Sequence, residues 1–498
     1  MELKKILVIG ATGYVGSHLV PRLLSMGFHV TATGRSLSKL QKQPWHAHPH
    51  VELTTLNLKD EGNLQSLLHD ISTVFYLVHG MASGNDFYQY ELDIAHHISR
   101  ELNKSEVSRV IYLGATQPEG EESLHLSARK ATGNILRESG RQVIEIRAGI
   151  IVGSGSAAFE VMRDIVMNIP VITTPASVTS KSCPVALETM LEYLSRLISH
   201  PIEGSPVFDA IGPEAISYEG QMRRFARVIN KRIWIIKMPW LTPRISAAWL
   251  SLVTSVPKPI ARALIQGLNH DLIPANRTTS GASPLSDIMP LPDISFEHAV
   301  ESALAQESDV VKNNIWGYDP DALARWHKSY GYYPKKAGYN VDTDASIESL
   351  WAMIQKVGGE EGYFFGNALW TTRAYMDAAI GGDALKKRRP NSETLSVGDY
   401  IDSWKVIQCE DNRFLSLLFG MKAPGLGRLE FSIEDHGDYR TLEICAWWHP
   451  AGFRGLLYWF AMMPAHLFIF RGMAFALAKK WRERHSSFTP LINAEVFR

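Results

Sequence analysis

Short apolar runs alternate with stretches of helical period over the first 155 residues. The runs fall at 5–9, 28–33, 51–57, 73–78, 109–114 and 143–147. Each is too short for a helix and reads as a buried strand. Between them apolar residues recur three and four apart, as at Val15, Leu19, Val20, Leu23 and Leu24. This alternation predicts an α/β fold: a doubly wound, Rossmann-type parallel sheet over 1–155. Pro21 lies inside the first helical stretch, where a kink is expected. From Ala157 the helical period dominates (Phe159, Met162, Val166), so 156–275 reads as a small, mostly helical substrate lobe. In it Trp240, Trp249 and the apolar run 250–256 read either as plain core or as pocket lining. Pro284, Pro290 and Pro292 then interrupt the pattern. Residues 276–340 read as a linker and docking segment, pinned by Trp316, Trp326, Tyr330, Tyr332 and Tyr333.

A second domain is expected over 341–498. A short strand at 339–341 leads into a helix from about Ser346, with Leu350, Met353, Ile354 and Val357 on one face. Four β stretches follow at 400–408, 413–419, 427–433 and 440–448. The polar clusters at 410–412 and 434–438 have the composition of hairpin turns. A long apolar helix closes the chain.

The first strand runs directly into Gly10-Ala11-Thr12-Gly13-Tyr14-Val15-Gly16 and then into a helix. Strand, closely spaced glycines and helix form a nucleotide-phosphate site. One glycine allows the tight turn, one lets backbone approach the pyrophosphate, and one lets the helix pack on the sheet. NAD sites usually carry a carboxylate at the tip of the second strand, on the ribose 2′-hydroxyl. Here that tip reads Gly34-Arg35-Ser36, with Lys39 close behind. A guanidinium suits a 2′-phosphate, so the expected cofactor is NADP. The other strand tips supply Asn57 for an adenine contact, and Leu77 and Val78 beside the ribose and nicotinamide. His79 follows, either as a turn histidine or as a catalytic group.

Lys plus Arg equals Asp plus Glu, at 51 each in 498 residues, so charge points to no nucleic-acid partner. Three scattered cysteines, Cys183, Cys409 and Cys445, suit neither a disulfide framework nor a metal cluster. The N-terminus does not read as a signal peptide, because the apolar run ends at once in the glycine turn. A cytoplasmic protein is expected. Residues 455–470 carry no formal charge, and Arg471 stops them short of a span. They read either as a buried closing helix or as a membrane contact that would make the protein membrane-associated. Lys386-Lys387-Arg388-Arg389 reads as a membrane-surface patch or as a solvated loop.

The glycine turn, Arg35, and Ile146-Arg147-Ala148-Gly149-Ile150-Ile151-Val152-Gly153 resemble an atypical short-chain dehydrogenase/reductase of the extended, NmrA-like and epimerase-like branch. Later stretches, among them 149–163, 316–319, 363–366, 419–425 and 464–471, resemble a bacterial family in which that domain is fused to a C-terminal domain of unknown function. The order strand, helix, meander, long helix is similar to the helix-grip, START-like fold. That resemblance implies an apolar cavity and an apolar small-molecule ligand. The dehydrogenase resemblance implies a Ser/Thr, a Tyr and a Lys, the last two four apart on one helix. Thr116 and Lys130 stand at the first and last positions, but the tyrosine position is Leu126. A leucine cannot transfer a proton, so the usual acid–base group is missing. Two readings stay open. One is an NADPH-dependent reductase of a hydrophobic carbonyl, enone or quinone, with the proton from His125, His79 or the substrate lobe. The other is a non-catalytic NADPH-binding sensor or assembly protein.

Overall fold

The computed structural model describes residues 5–482, apart from 59–63, 79–86, 119–122, 170, 239–244, 247–248, 251–253, 255, 257–263, 266–269, 274–280, 317–318, 387 and 393. The chain divides into two compact units after Gly317.

The first unit is built on β1 (Lys5–Ile9), β2 (His29–Gly34), β3 (Val51–Thr55), β4 (Ile71–Tyr76), β5 (Arg109–Ala115) and β6 (Gln142–Ala148), with two further strands at Val207–Ala210 and Ala282–Pro284. These eight form one sheet in which every neighbouring pair is parallel. From one edge the order is Ala282–Pro284, Val207–Ala210, β6, β5, β4, β1, β2, β3. The chain runs outward from β1 to β3 and returns to β4 on the other side of β1. That reversal opens a crevice at the carboxyl ends of β1 and β4. Both faces are covered, as an all-parallel sheet requires. Alternate residues of β1 enter opposite layers: Ile6 and Val8 pack with Leu19, Leu23 and Phe75, while Leu7 and Ile9 pack with Val74, Tyr76 and Ile98.

The first helix, α1 (Tyr14–Ser25), continues through Pro21. Pro21 has no N–H to give the carbonyl of Ser17, four residues earlier. The Trp45 indole N–H donates to that carbonyl instead, at 3.3 Å. A side chain from outside the helix thus replaces the bond that proline removes.

The segment read as a linker is structured. Ala282–Pro284 forms the edge strand of the main sheet. Phe296–Val311 is a helix capped by the Ser295 hydroxyl, which accepts from the His298 N–H. Phe296, Ala299, Val300 and Ala303 join Phe159, Val166 and Phe225 in the core of the helical lobe. Pro290 and Pro292 fall between the strand and the helix, in neither. Trp240 lies outside the described residues, Trp249 is exposed, and Leu250 and Val256 are buried.

The second unit is built on a six-stranded sheet with the order Lys335–Thr343, Arg440–Pro450, Gly425–Asp435, Phe414–Leu418, Trp404–Glu410, Tyr400–Ile401. Every pair is antiparallel. Helices Ile347–Ile354 and Asn367–Ala379 lie between its first two strands in sequence, and the helix Gly452–Arg482 follows the last. Ser346 caps the first of these by accepting from the Ser349 N–H. The core is rich in rings: Trp351, Trp404, Phe431, Trp448, Trp459 and Phe470 are all buried in one cluster.

A buried charge cluster ties the helical lobe of the first unit together. Arg163 Nε lies 3.0 Å from Glu160, and its Nη1 lies 2.8 Å from Glu307 on the helix Phe296–Val311. Glu160 also accepts from the Gly155 N–H at 2.7 Å. Burial pushes the Glu160 carboxyl up to about 7, against the pull of Arg163. Between the usual carboxylate range and about 7, the folded chain therefore holds a proton that the unfolded chain releases. Stability should fall as pH rises through that window, by at most about 1.4 kcal/mol per pH unit for one group. Glu160→Gln should flatten this slope in urea midpoints measured across the window, and an unchanged slope would refute the assignment.

Candidate functional site

The glycine turn sits at the sheet's switch point and is shaped by what its residues lack. Gly10 has φ of +94°, a left-handed backbone that glycine adopts without strain. A Cβ on Gly16 would stand 2.2 Å from the Gly10 carbonyl oxygen and 2.9 Å from Ala11 Cα. Only glycine there allows α1 to seat on the turn. The Gly13 N–H closes the turn on the Gly10 carbonyl at 3.0 Å. The turn is also anchored to the neighbouring strands: Ala11 N–H donates to Thr33 O, and Leu77 N–H donates to Ile9 O. Thr12 packs against Gly34, where a Cβ would come within 3.3 Å of its methyl group.

The cap of α1 is Gly13, which offers no side-chain hydrogen bond, and no acid stands in the first turn. The first N–H groups of a helix lack intrahelical partners. Those at Tyr14, Val15 and Gly16 therefore face the crevice mouth with a partial positive charge. Tyr14 also reaches across to the loop after β6. A Cβ on Gly153 would stand 2.2 Å from the Tyr14 hydroxyl, so this second glycine is required by the first helical residue of the turn. The residues present fit a dinucleotide pyrophosphate.

The strand tips carry the remaining candidates. Arg35 is exposed directly after β2 and engages no other described residue. Ser36 accepts from the Lys39 N–H at 3.4 Å, which fixes the turn behind it. Asn57 is exposed beyond β3. Leu77 and Val78 are half-buried at the end of β4, and Val78 lies against Gly10. His79 lies outside the described residues. Thr116 is buried after β5, with its N–H donating to Ala148 O at 3.1 Å. Its hydroxyl has no partner among the described residues.

The helix Leu124–Arg137 starts from a Ser123 cap that accepts from the Leu126 N–H. Leu126 is 5% exposed, so an apolar side chain fills the position where the resemblance calls for a phenol. Lys130, one turn on, is exposed. The buried cation is its neighbour, Arg129. Arg129 Nη1 donates to Val78 O at 2.8 Å and to Glu91 at 2.6 Å, and Nη2 donates to Leu113 O. One guanidinium thus fastens the tip of β4 to β5, with its charge met by Glu91. The guanidinium also lies over the Tyr112 ring, 4.8 Å from its centre. The Tyr112 hydroxyl donates to Arg129 O. Burial pushes the phenols of Tyr76 and Tyr112 far up, and both side chains belong to the core rather than to the crevice.

Residues 10–150 match a family model described as NAD(P)H-binding. This first unit carries an NAD(P)-binding Rossmann domain similar to the short-chain dehydrogenases/reductases. Residues 337–473 match a second family, described as a protein of unknown function (DUF2867). Bifunctional dihydroflavonol 4-reductase/flavanone 4-reductases of Pyrus communis and Malus domestica are 37% identical over 82 residues, 15% of this chain. The matched stretch spans 23% of the length of those reductases. Among solved structures, UDP-glucuronic acid 4-epimerase from Bacillus cereus, in complex with UDP-glucuronic acid and NAD, is 14% identical with a TM-score of 0.47. The match covers 61% of this chain and 99% of the epimerase. The NAD-dependent NDP-hexosamine 5,6-dehydratase TunA is 13% identical with a TM-score of 0.44, covering 61% of this chain and 97% of its own.

Breaking the Arg129 pair should be costly, because Glu91 would remain buried without its cation. Arg129→Met should lower stability by about 3–5 kcal/mol in urea unfolding. Adding Glu91→Leu should recover part of that loss. A single variant as stable as the native protein would mean that the pair holds nothing.

Proposed function

We propose that this protein is an NADP(H)-dependent oxidoreductase acting on a hydrophobic carbonyl compound, enone or quinone. The observation that carries this reading is the crevice itself. An uncapped helix start stands at the switch point, and an exposed, unengaged arginine stands where NAD sites place a carboxylate. Arg35 and Ser36 would hold the 2′-phosphate, the 10–16 turn the pyrophosphate, and Leu77 and Val78 the nicotinamide end. Bound there, NADPH supplies a hydride.

The chain's own part is to orient the acceptor. The unpartnered Thr116 hydroxyl donates a hydrogen bond to the acceptor's oxygen. An aliphatic hydroxyl holds its proton too tightly to act as a net acid, and Leu126 offers none. The proton therefore comes from water, and the favoured acceptor is one whose reduced form is a stabilised anion. Quinones and activated enones meet that condition, and simple ketones do not. A positioned acid contributes about 10²–10⁴-fold, so ordinary ketones should be turned over more slowly by about that factor.

In this reading the second unit takes the apolar ligand. Its order of strand, two helices, five-stranded meander and long helix is similar to the helix-grip arrangement, and its core is lined with rings. A second reading, a non-catalytic NADPH sensor, is favoured by one observation: the buried leucine at position 126.

Titration of the native protein should give NADPH at least about tenfold tighter than NADH, and Arg35→Asp should remove about one to two decades of NADPH affinity. Equal affinities in the native protein would overturn the NADP assignment. Hydride transfer to a quinone or enone but not to a ketone separates the enzyme from the sensor. Leu126→Tyr should add weak ketone reduction if the crevice is catalytic. Efficient ketone reduction by the native chain would show that another group supplies the proton.

A further inference from the structure

Two helices of the second unit meet through a few long side chains. Phe365 and Phe468 have ring centres 5.1 Å apart, and a Cβ on Gly472 would collide with Phe365. At the other end, Arg373 Nε lies 3.3 Å from the Tyr458 hydroxyl. The start of Asn367–Ala379 therefore stands beside residues 468–472, and Arg373 reaches from its second turn to Tyr458.

The outer surface of this pair is apolar. On the closing helix the exposed positions recur three and four apart: Phe453, Leu457, Ala461, Pro464, Phe468. Leu457 is 61% exposed and Phe468 59%. On the other helix and the turn after it, Leu369, Tyr375, Met376, Ile380 and Leu385 are exposed. Exposed apolar side chains gathered this densely mark an interaction site.

Charge identifies the occupant. The closing helix contains no acidic residue, and Arg454 and Arg471 are exposed at the two ends of its apolar stripe. The only acid in Asn367–Ala379 is Asp377, which is fully buried and accepts from the Ala384 and Lys422 N–H groups. Around the turn that Asp377 holds, Lys386 is paired with the exposed Asp383 at 2.8 Å, and Arg388 and Lys422 stand exposed beside them. An apolar face edged with cations and free of exposed acids on its helices is complementary to an anionic bilayer.

We propose that this two-helix face seats the second unit on the surface of an anionic membrane. By length and composition Gly452–Ala478 could cross a membrane. Its inner face argues for lying on the surface instead. Trp459, Ile469, Phe470, Met473, Ala474 and Leu477 are part of the unit's core, and spanning would empty that core. Seated this way, the unit meets lipophilic molecules where they dissolve.

The test is flotation of the full chain with vesicles of phosphatidylcholine alone and of phosphatidylcholine mixed with phosphatidylglycerol. Binding is expected on the mixed vesicles and should weaken about fivefold for each of Arg454→Gln and Arg471→Gln. Leu457→Ser with Phe468→Ser should weaken it by at least about tenfold. If that variant does not fold, Tyr375→Ser, on the exposed side of the other helix, should also weaken binding. No binding to either vesicle would overturn the proposal. So would a native dimer that the same serine substitutions dissolve, which would make the face a self-interface. Resistance of the native protein to carbonate extraction from cell membranes would show that the helix spans, and would overturn it as well.

Discussion

The approach of Gly16 to the Gly10 carbonyl is the constraint on which the first unit turns. With a Cβ in the way, at 2.2 Å, α1 could not seat on the end of β1. Its uncapped start would then no longer face the crevice between β1 and β4. The hydrogen bonds from Ala11 to β2 and from Leu77 to β1 would lose their register. The same logic reaches the loop after β6, where Gly153 must lack a side chain because Tyr14 occupies that space. Gly16 and Gly153 thus set the shape of the site by steric exclusion, before any charged group is considered.

Charge then fixes what sterics leave loose. In the first unit the buried guanidiniums of Arg129 and Arg163 each meet carboxylates. Arg129 holds two carbonyls at the ends of adjacent strands, so the edge of the crevice nearest the nicotinamide position depends on a buried ion pair. Such pairs add little net stability over apolar replacements but are expensive to break. The second unit is held differently. Its core is a run of stacked rings, with Trp370, Trp404, Phe419, Trp448 and Tyr458 in successive edge or tilted contact.

Much of this was legible along the chain. Six apolar runs located six of the eight strands to within two or three residues, because strands buried on both faces, as β1, β4, β5 and β6 are, read as continuous hydrophobic runs. The glycine turn was legible because its steric demands allow no other residue. The strand Ala282–Pro284 was not, since three residues at a sheet edge carry no periodicity and include a proline. The helix Phe296–Val311 was hidden by prolines that bracket it rather than break it. Pro21 shows the converse: a proline that should kink its helix does not, because Trp45 is brought in from 28 residues away to take the freed carbonyl. Arg129 escaped notice for a simpler reason. A tyrosine–lysine spacing drew attention to Leu126 and Lys130, yet His125 and Arg129 have the same spacing one residue earlier.

The sequence by itself determined the class of the first unit, the position of its phosphate turn and the absence of a phenol at residue 126. Those follow from backbone sterics and side-chain identity, which are local. Only the tertiary structure decided which cation is buried, since Arg129 and Lys130 differ by 100° around one helix and the sheet chooses between them. It alone decided that the closing helix turns one side into a ring-lined core and leaves Leu457 and Phe468 outside. Between Arg454 and Arg471 the helix has no charged residue to mark its orientation, so its inner and outer sides are fixed by the sheet it packs against.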